Sequence, residues 1–176
     1  FVELKGRPIW VRTAEHFLKR PDVSQTILVV APEDLDWFHE TFKANLAFMD
    51  IQVVAGGKSR AESVRNGISA IAKPADFIAV HDAARPLLTS QWIDQVFAAA
   101  STYQAAIPGL KISSTVKRVG IDAVISATVD REGLVQAQTP QVFATALLQR
   151  AFAGCRNLAA ATDEASLVAA ISQPVH

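Results

Sequence analysis

The chain has 176 residues, half of them hydrophobic, with 17 basic and 17 acidic side chains and no net charge. That length suits one domain with a sizeable core. Balanced charge excludes a dedicated nucleic-acid binder, which carries a basic excess, and no apolar run reaches the ~18 residues of a membrane span. Cys155 is the single cysteine. Neither a disulfide framework nor a cysteine zinc site is expected, and Cys155 reads as a small hydrophobe. With no signal peptide visible, a cytoplasmic protein is the expectation. The chain opens at Phe1 rather than Met, and Pro174-Val175-His176 reads as the start of a strand. Both features lead us to expect further chain at either end.

Residues 1–7 read as a connector with a turn at Gly6. Pro8 suits a first helical position, and Ile9, Val11, Ala14, Phe17 and Leu18 keep helical spacing to Lys19, with Pro21 as a stop. Thr26 to Ala31 is an apolar run expected to be a buried strand. Pro32-Glu33-Asp34 then opens a helix striped by Leu35, Phe38 and Phe42, its acids favoured by the helix dipole. Ile51 to Ala55 predicts a second strand, followed by Gly56-Gly57-Lys58-Ser59-Arg60-Ala61-Glu62-Ser63-Val64. Ser59 and Glu62 have capping-box spacing, so a helix is expected from there to about Ile71. Glycines before a helix N-terminus let backbone N–H groups face an anionic ligand. Taken alone, the glycines are better read as an ordinary tight turn, and the Walker spacing is absent.

Phe77 to Val80 is a short apolar strand, non-alternating as in a strand buried on both faces of a parallel sheet. It ends in His81-Asp82-Ala83-Ala84-Arg85-Pro86. Open α/β sheets bind ligands beyond the carboxyl ends of their strands, which is where Asp82 and Arg85 fall. An Asp–Arg pair merely holding a loop accounts for the same residues. Thr89 or Ser90 caps a helix carrying Ile93, Val96, Phe97 and Ala100, and Ala105 to Pro108 forms a further strand. The alternation of strands and helices predicts a Rossmann-like three-layer α/β fold with a mostly parallel sheet.

From Ser113 the pattern changes to a hairpin, Ser114–Val119 and Ala123–Val129 around Gly120-Ile121-Asp122. No neighbouring helix covers it, and a lone hairpin is marginal. Residues 113–131 are therefore expected to project as an arm that packs on a second copy, giving a homodimer. Leu134 to Thr139 should rejoin the sheet, with Pro140 ending the strand. A helix follows over Thr145 to Ala153, and a capped helix begins at Thr162-Asp163-Glu164.

Taken together, Gly56-Gly57 with Ser59-Arg60 and Ser63-Val64, Val80 to Pro86, Thr115 to Arg118, Thr128 to Arg131, Ala137 to Gln141 with Phe143, and Thr162 to Ser166 resemble one family. It is the 2-C-methyl-D-erythritol 4-phosphate cytidylyltransferases of the non-mevalonate isoprenoid pathway. The likeness runs from Leu4 to the end, as one nucleotidyltransferase domain over 1–176. It implies a homodimer clasped by the arms, with CTP and a polyol phosphate as substrates and Mg²⁺ or another divalent cation as cofactor. By resemblance, Gly56, Gly57, Lys58 and Ser63 serve the cytosine. Lys58 stands where some relatives carry an acid. Asp82 and Ala83 meet the ribose and metal region, Asp82 as metal ligand, and catalytic roles fall to Asp82, Arg85 and Arg131. Arg85 and Thr162 hold the acceptor phosphate, and Thr115, Arg131 and Thr139 also bind the acceptor, with Thr115 and Arg131 completing the partner's site. The family's glycine-rich triphosphate loop would precede Phe1, and its later lysine segment would follow His176. Ribitol 5-phosphate cytidylyltransferase has overlapping motifs and stays open as a reading. So does a non-catalytic nucleotide-binding or dimerisation module. A dinucleotide dehydrogenase does not fit, because no G-x-G-x-x-G follows a strand.

Overall fold

A computed structural model describes residues 2–176. A small antiparallel ladder, β1 (Glu3–Leu4) with β2 (Arg7–Pro8), turns through Lys5 and Gly6, both at positive φ, and leads into α1 (Ile9–Leu18). Pro8 is therefore the N-cap and last ladder residue, one position earlier than its sequence suggested. Next come β3 (Thr26–Val30), a 3₁₀ turn at Pro32–Asp34, α2 (Leu35–Thr41) and α3 (Lys43–Met49). The chain continues through β4 (Ile51–Ala55), α4 (Arg60–Ser69), β5 (Phe77–Val80), α5 (Ser90–Tyr103) and β6 (Ala105–Ala106). The second half contains β7 (Gly109–Lys111), β8 (Val116–Val119), β9 (Ile125–Val129), β10 (Val135–Ala137), β11 (Gln141–Ala144), α6 (Thr145–Gly154) and α7 (Glu164–Ala170).

The α/β class holds, with two adjustments to the sheet. β3 and β4 pair in parallel, whereas β11 lies between β5 and β6 and is antiparallel to both. β5 is also only partly buried, unlike a strand covered on both faces. The strand that rejoins the sheet is β11, which begins just after Pro140. The stretch before Pro140 supplies β10 instead, paired with β7 away from the main sheet. The Thr139–Pro140 peptide is cis.

Strand alternation sorts the core into two helical layers. Phe143 and Ala105 face α4, α6 and α7, joining Ala61, Leu147, Leu148, Ala151, Phe152, Leu167 and Val168. Their neighbours Val142 and Ala106 face the opposite side and meet Val96 and Ala100 of α5. A third cluster packs Trp10, Val11 and Ala14 of α1 on Val30, Phe38, Phe42 and Ile51. Helix α3 contributes only partly buried Leu46 and Met49 to that cluster.

The hairpin forms, β8 antiparallel to β9 with an irregularity at Arg118/Val119. Val119, Ile121, Val124 and Ile125 on it are exposed. At the other end, His176 exchanges backbone hydrogen bonds with Ala105 and Ile107, but the expected strand at Pro174-Val175-His176 is not formed. Phe143 has no exposed surface. Phe143→Ala is expected to cost about 3–5 kcal/mol in urea unfolding, against under ~0.5 kcal/mol for Val135→Ala on the exposed face.

Candidate active site

The turn after β5 is held from three directions. Continuing the β5–β11 register beyond Val80↔Gln141 sets Asp82 opposite Thr139. The Asp82 N–H donates to Thr139 Oγ1 at 3.3 Å, and Arg85 N–H closes the turn onto the Asp82 carbonyl at 3.0 Å. His81 lies across the turn, with Nδ1 2.8 Å from Thr139 Oγ1 and Nε2 3.1 Å from the Arg85 carbonyl. From the other side α1 reaches in. Thr13 Oγ1 donates to the Ala83 carbonyl at 2.7 Å, and His16 Nε2 to the Pro86 carbonyl at 3.0 Å. The contacts of Thr13, His16 and His81 were not legible in sequence, since their partners are brought to them by the fold.

Two guanidiniums flank the Asp82 carboxylate. Arg85 Nε sits 2.8 Å from Oδ2, and Arg60 is 3.8 Å from Oδ1. Arg85 also donates to the Gln138 side-chain oxygen. Arg60 is anchored more firmly by Glu164, fully buried at the start of α7, through bonds of 2.6 and 2.9 Å. Burial works against the Arg60 charge, but Glu164, Asp82 and Asp163 outweigh it and hold the guanidinium above its ordinary pKa. His81 is moved the other way. Burial lowers its pKa despite the opposing pull of the Arg85 carbonyl and the Asp82 charge.

The N-terminus of α7 is docked by Gln141 of β11. Its amide donates to Asp163 Oδ2 at 2.9 Å and accepts from the Ala165 N–H at 3.1 Å. Asp163 caps the helix through the Ser166 N–H at 2.9 Å, and Thr162 precedes it.

The glycine loop corrects one expectation. The Gly56 N–H bonds the Val30 carbonyl, the Gly57 N–H bonds Ser63 Oγ, and the Lys58 N–H bonds Glu62 Oε2. These donors are satisfied within the protein rather than turned outward, because the Val30 carbonyl, Ser63 and a Glu62 side chain that reaches back past the cap residue accept from them. A Cβ at Gly57 would lie 2.4 Å from Glu62 Cβ, so close packing alone demands glycine there. Ser59 caps α4 as predicted, through the Glu62 N–H at 3.2 Å.

The structure thus brings together Asp82, Ala83, Arg85 and Thr139, with Arg60 linking Asp82 to the start of α4 and, through Glu164, to the segment bearing Thr162. Thr115 and Arg131 stand apart at the exposed base of the arm, where Arg131 bonds the Ser113 carbonyl. Among the described residues no hydrogen bond or ion pair joins either to the Asp82 turn. No group of three or more His, Cys, Asp or Glu suited to a metal occurs among them either.

The layered α/β sheet, with two arginines and a carboxylate gathered at the end of β5, has the fold of a nucleotidyltransferase. Comparison with known proteins specifies which. All of residues 1–176 match the family profile described as 2-C-methyl-D-erythritol 4-phosphate cytidylyltransferase. A protein of that name from Solibacter usitatus is 41% identical over 172 residues, covering 96% of this chain and 70% of its own length. A bifunctional IspD/IspF enzyme from Solidesulfovibrio magneticus is 39% identical over 99% of this chain, which spans only 45% of that relative. The crystal structure of the Thermus thermophilus cytidylyltransferase superposes with a TM-score of 0.84 at 28% identity, covering 99% of this chain and 80% of that one. The chain belongs to the 2-C-methyl-D-erythritol 4-phosphate cytidylyltransferase family.

The Arg60–Glu164 pair yields an asymmetric prediction. Arg60→Ala strands a fully buried carboxylate and should cost about 3–5 kcal/mol. Glu164→Ala leaves a guanidinium that is 39% exposed and can turn to water, for about 1–3 kcal/mol. Urea midpoints of the two variants check the order; the reverse order would show that Glu164 is not the dependent partner.

Proposed function

We propose that the chain transfers a cytidylyl group from CTP to 2-C-methyl-D-erythritol 4-phosphate, giving 4-diphosphocytidyl-2-C-methyl-D-erythritol and pyrophosphate. Family membership over the whole chain carries this reading. An oxygen of the acceptor phosphate attacks the α-phosphorus of CTP in line. The new O–P bond forms as the α-phosphorus–oxygen bond to the β-phosphate breaks, and pyrophosphate leaves with that electron pair. No protein nucleophile is needed, so catalysis is positioning and charge neutralisation.

In this reading Arg85 grips the acceptor phosphate, and Thr162 approaches it from the α7 side. Arg85 suits the exchange because its present partners, Gln138 and partly exposed Asp82, are near the surface and give way at little cost. A guanidinium also offers the planar two-point grip that a lysine lacks. Ala83 leaves room for the ribose beside Asp82. Gly56, Gly57, Lys58 and Ser63 border the cytosine. With their N–H groups committed internally, recognition falls to the loop carbonyls, to exchange at the Ser63 hydroxyl and to the Lys58 side chain.

A divalent cation fits this donor set. Mg²⁺ keeps waters and phosphate oxygens as most of its ligands and needs only one or two carboxylates, and Asp82 Oδ1 has only a loose partner in Arg60 at 3.8 Å. Bound there, the ion would neutralise triphosphate charge. The arm makes a homodimer the natural assembly. Its apolar residues are exposed, and Thr115 and Arg131 at its base lie away from their own chain's turn, as donors to a partner's site would. A cytoplasmic location belongs to the same reading, and no helix among the described residues is long and apolar enough to cross a membrane.

Pyrophosphate release with CTP and each polyol phosphate in turn tests the substrate. Faster turnover of ribitol 5-phosphate would replace the acceptor, and no release with either would favour a non-catalytic binding or dimerisation module. Arg131→Ala should lower kcat/KM for the acceptor about tenfold or more with little change in CTP affinity. Mixed dimers of Arg85→Ala and Arg131→Ala protomers should recover part of the activity, because one of the two sites then has both arginines. Absence of recovery would argue that each chain completes its own site.

A further inference from the structure

Thr139 is buried at 6% exposure, and its hydroxyl is already engaged on both sides. The oxygen accepts from the Asp82 N–H, which leaves the hydroxyl proton for His81 Nδ1, 2.8 Å away. On the other edge of the ring, Nε2 faces the Arg85 carbonyl at 3.1 Å. A carbonyl can only accept, so Nε2 carries the imidazole proton and Nδ1 is bare. The bonds therefore run in one direction, from Asp82 N–H to Thr139, from the Thr139 hydroxyl to His81 Nδ1, and from His81 Nε2–H to the Arg85 carbonyl. Both ends of the Asp82–Arg85 turn are tied to one ring, itself packed on Phe17 with centroids 5.3 Å apart.

We infer that His81 is a positioning residue, which with Thr139 fixes the path of the 82–85 backbone and so the places of the Asp82 carboxylate and the Arg85 guanidinium. The inference rests on the proposed function for what those groups hold, not for the hydrogen-bond chain itself. Thr139, expected from the resemblance to touch the acceptor, acts here as the link between His81 and the Asp82 N–H. A small displacement of groups aligned for in-line attack is enough to slow the reaction.

The test uses the full protein and two readouts. His81→Phe keeps an aromatic ring against Phe17 and removes both hydrogen bonds. It should lower kcat/KM for the polyol phosphate about tenfold, with a melting temperature within about 3 °C of the parent. His81→Gln, which can still donate to the Arg85 carbonyl, should regain a substantial part of that activity. An unchanged kcat/KM in His81→Phe would overturn the inference, as would a loss matched by a melting-temperature drop and not rescued by glutamine. Independently of turnover, ¹⁵N NMR of ring-labelled histidine should show His81 protonated on Nε2 and bare on Nδ1, with Thr139→Val shifting the Nδ1 signal. A proton on Nδ1 would overturn it. If the parent enzyme turned over neither polyol phosphate, the functional reading would fail, and the NMR experiment would still decide the His81 assignment.

Discussion

Glu164 is the fixed point of the site. A carboxylate with no exposed surface cannot remain unpaired, so Arg60, 104 positions earlier, is held to it at 2.6 and 2.9 Å. That ties the first turn of α4 to the first turn of α7, and through Asp82 to the end of β5. Three segments far apart in the chain are thus set against one another by a single charged group. The pair also separates the roles of the two arginines. Arg60 is committed to a buried partner and cannot leave it cheaply. Arg85 bonds Gln138 and an Asp82 carboxylate that reaches solvent. Only Arg85 can exchange its partners for a phosphate without stranding a buried charge.

The backbone around the site is similarly pre-satisfied. The N–H groups of Gly56, Gly57 and Lys58 all have internal acceptors, and the carbonyls of Ala83, Arg85 and Pro86 all have side-chain donors. Such loops hold their shape without ligand. A ligand bound at this turn would meet side chains on a rigid frame, which lowers the ordering cost of binding.

Local signals in the sequence were reliable where the physics is local. Ser59 caps the helix assigned to it, and Thr89 and Asp163 are the caps among the candidates the sequence offered, because a cap needs only a side chain and an N–H three residues away. The arm was legible because alternation and a turn define a hairpin. Legibility failed where a residue answers to a distant partner. Gln141 opens β11 with a buried amide, so the strand looks too polar to be central. That amide is needed to satisfy Asp163 and the Ala165 N–H across more than 20 residues. Arg60 reads as an ordinary helix residue until Glu164 is placed beside it. Two glycines before a helix suggested outward N–H groups, but the Val30 carbonyl and the Ser63 hydroxyl claim them.

The local charge explains why the arm matters to the proposed reaction. Around the Asp82 turn one chain assembles two guanidiniums, Arg60 and Arg85, against three carboxylates, Asp82, Asp163 and Glu164. That surrounding is not positive enough on its own to let a triphosphate and a phosphate monoester approach. In the proposed reaction the deficit would be met from outside the turn, by a cation on Asp82 and by arginine and lysine from other segments. Arg131 uses a donor on the Ser113 carbonyl and has others to offer, and Lys117 and Arg118 lie on the same exposed hairpin. An arm that delivers positive charge to a partner's strand ends would couple assembly to activity, because the site would become attractive to both anions only once the second chain is in place.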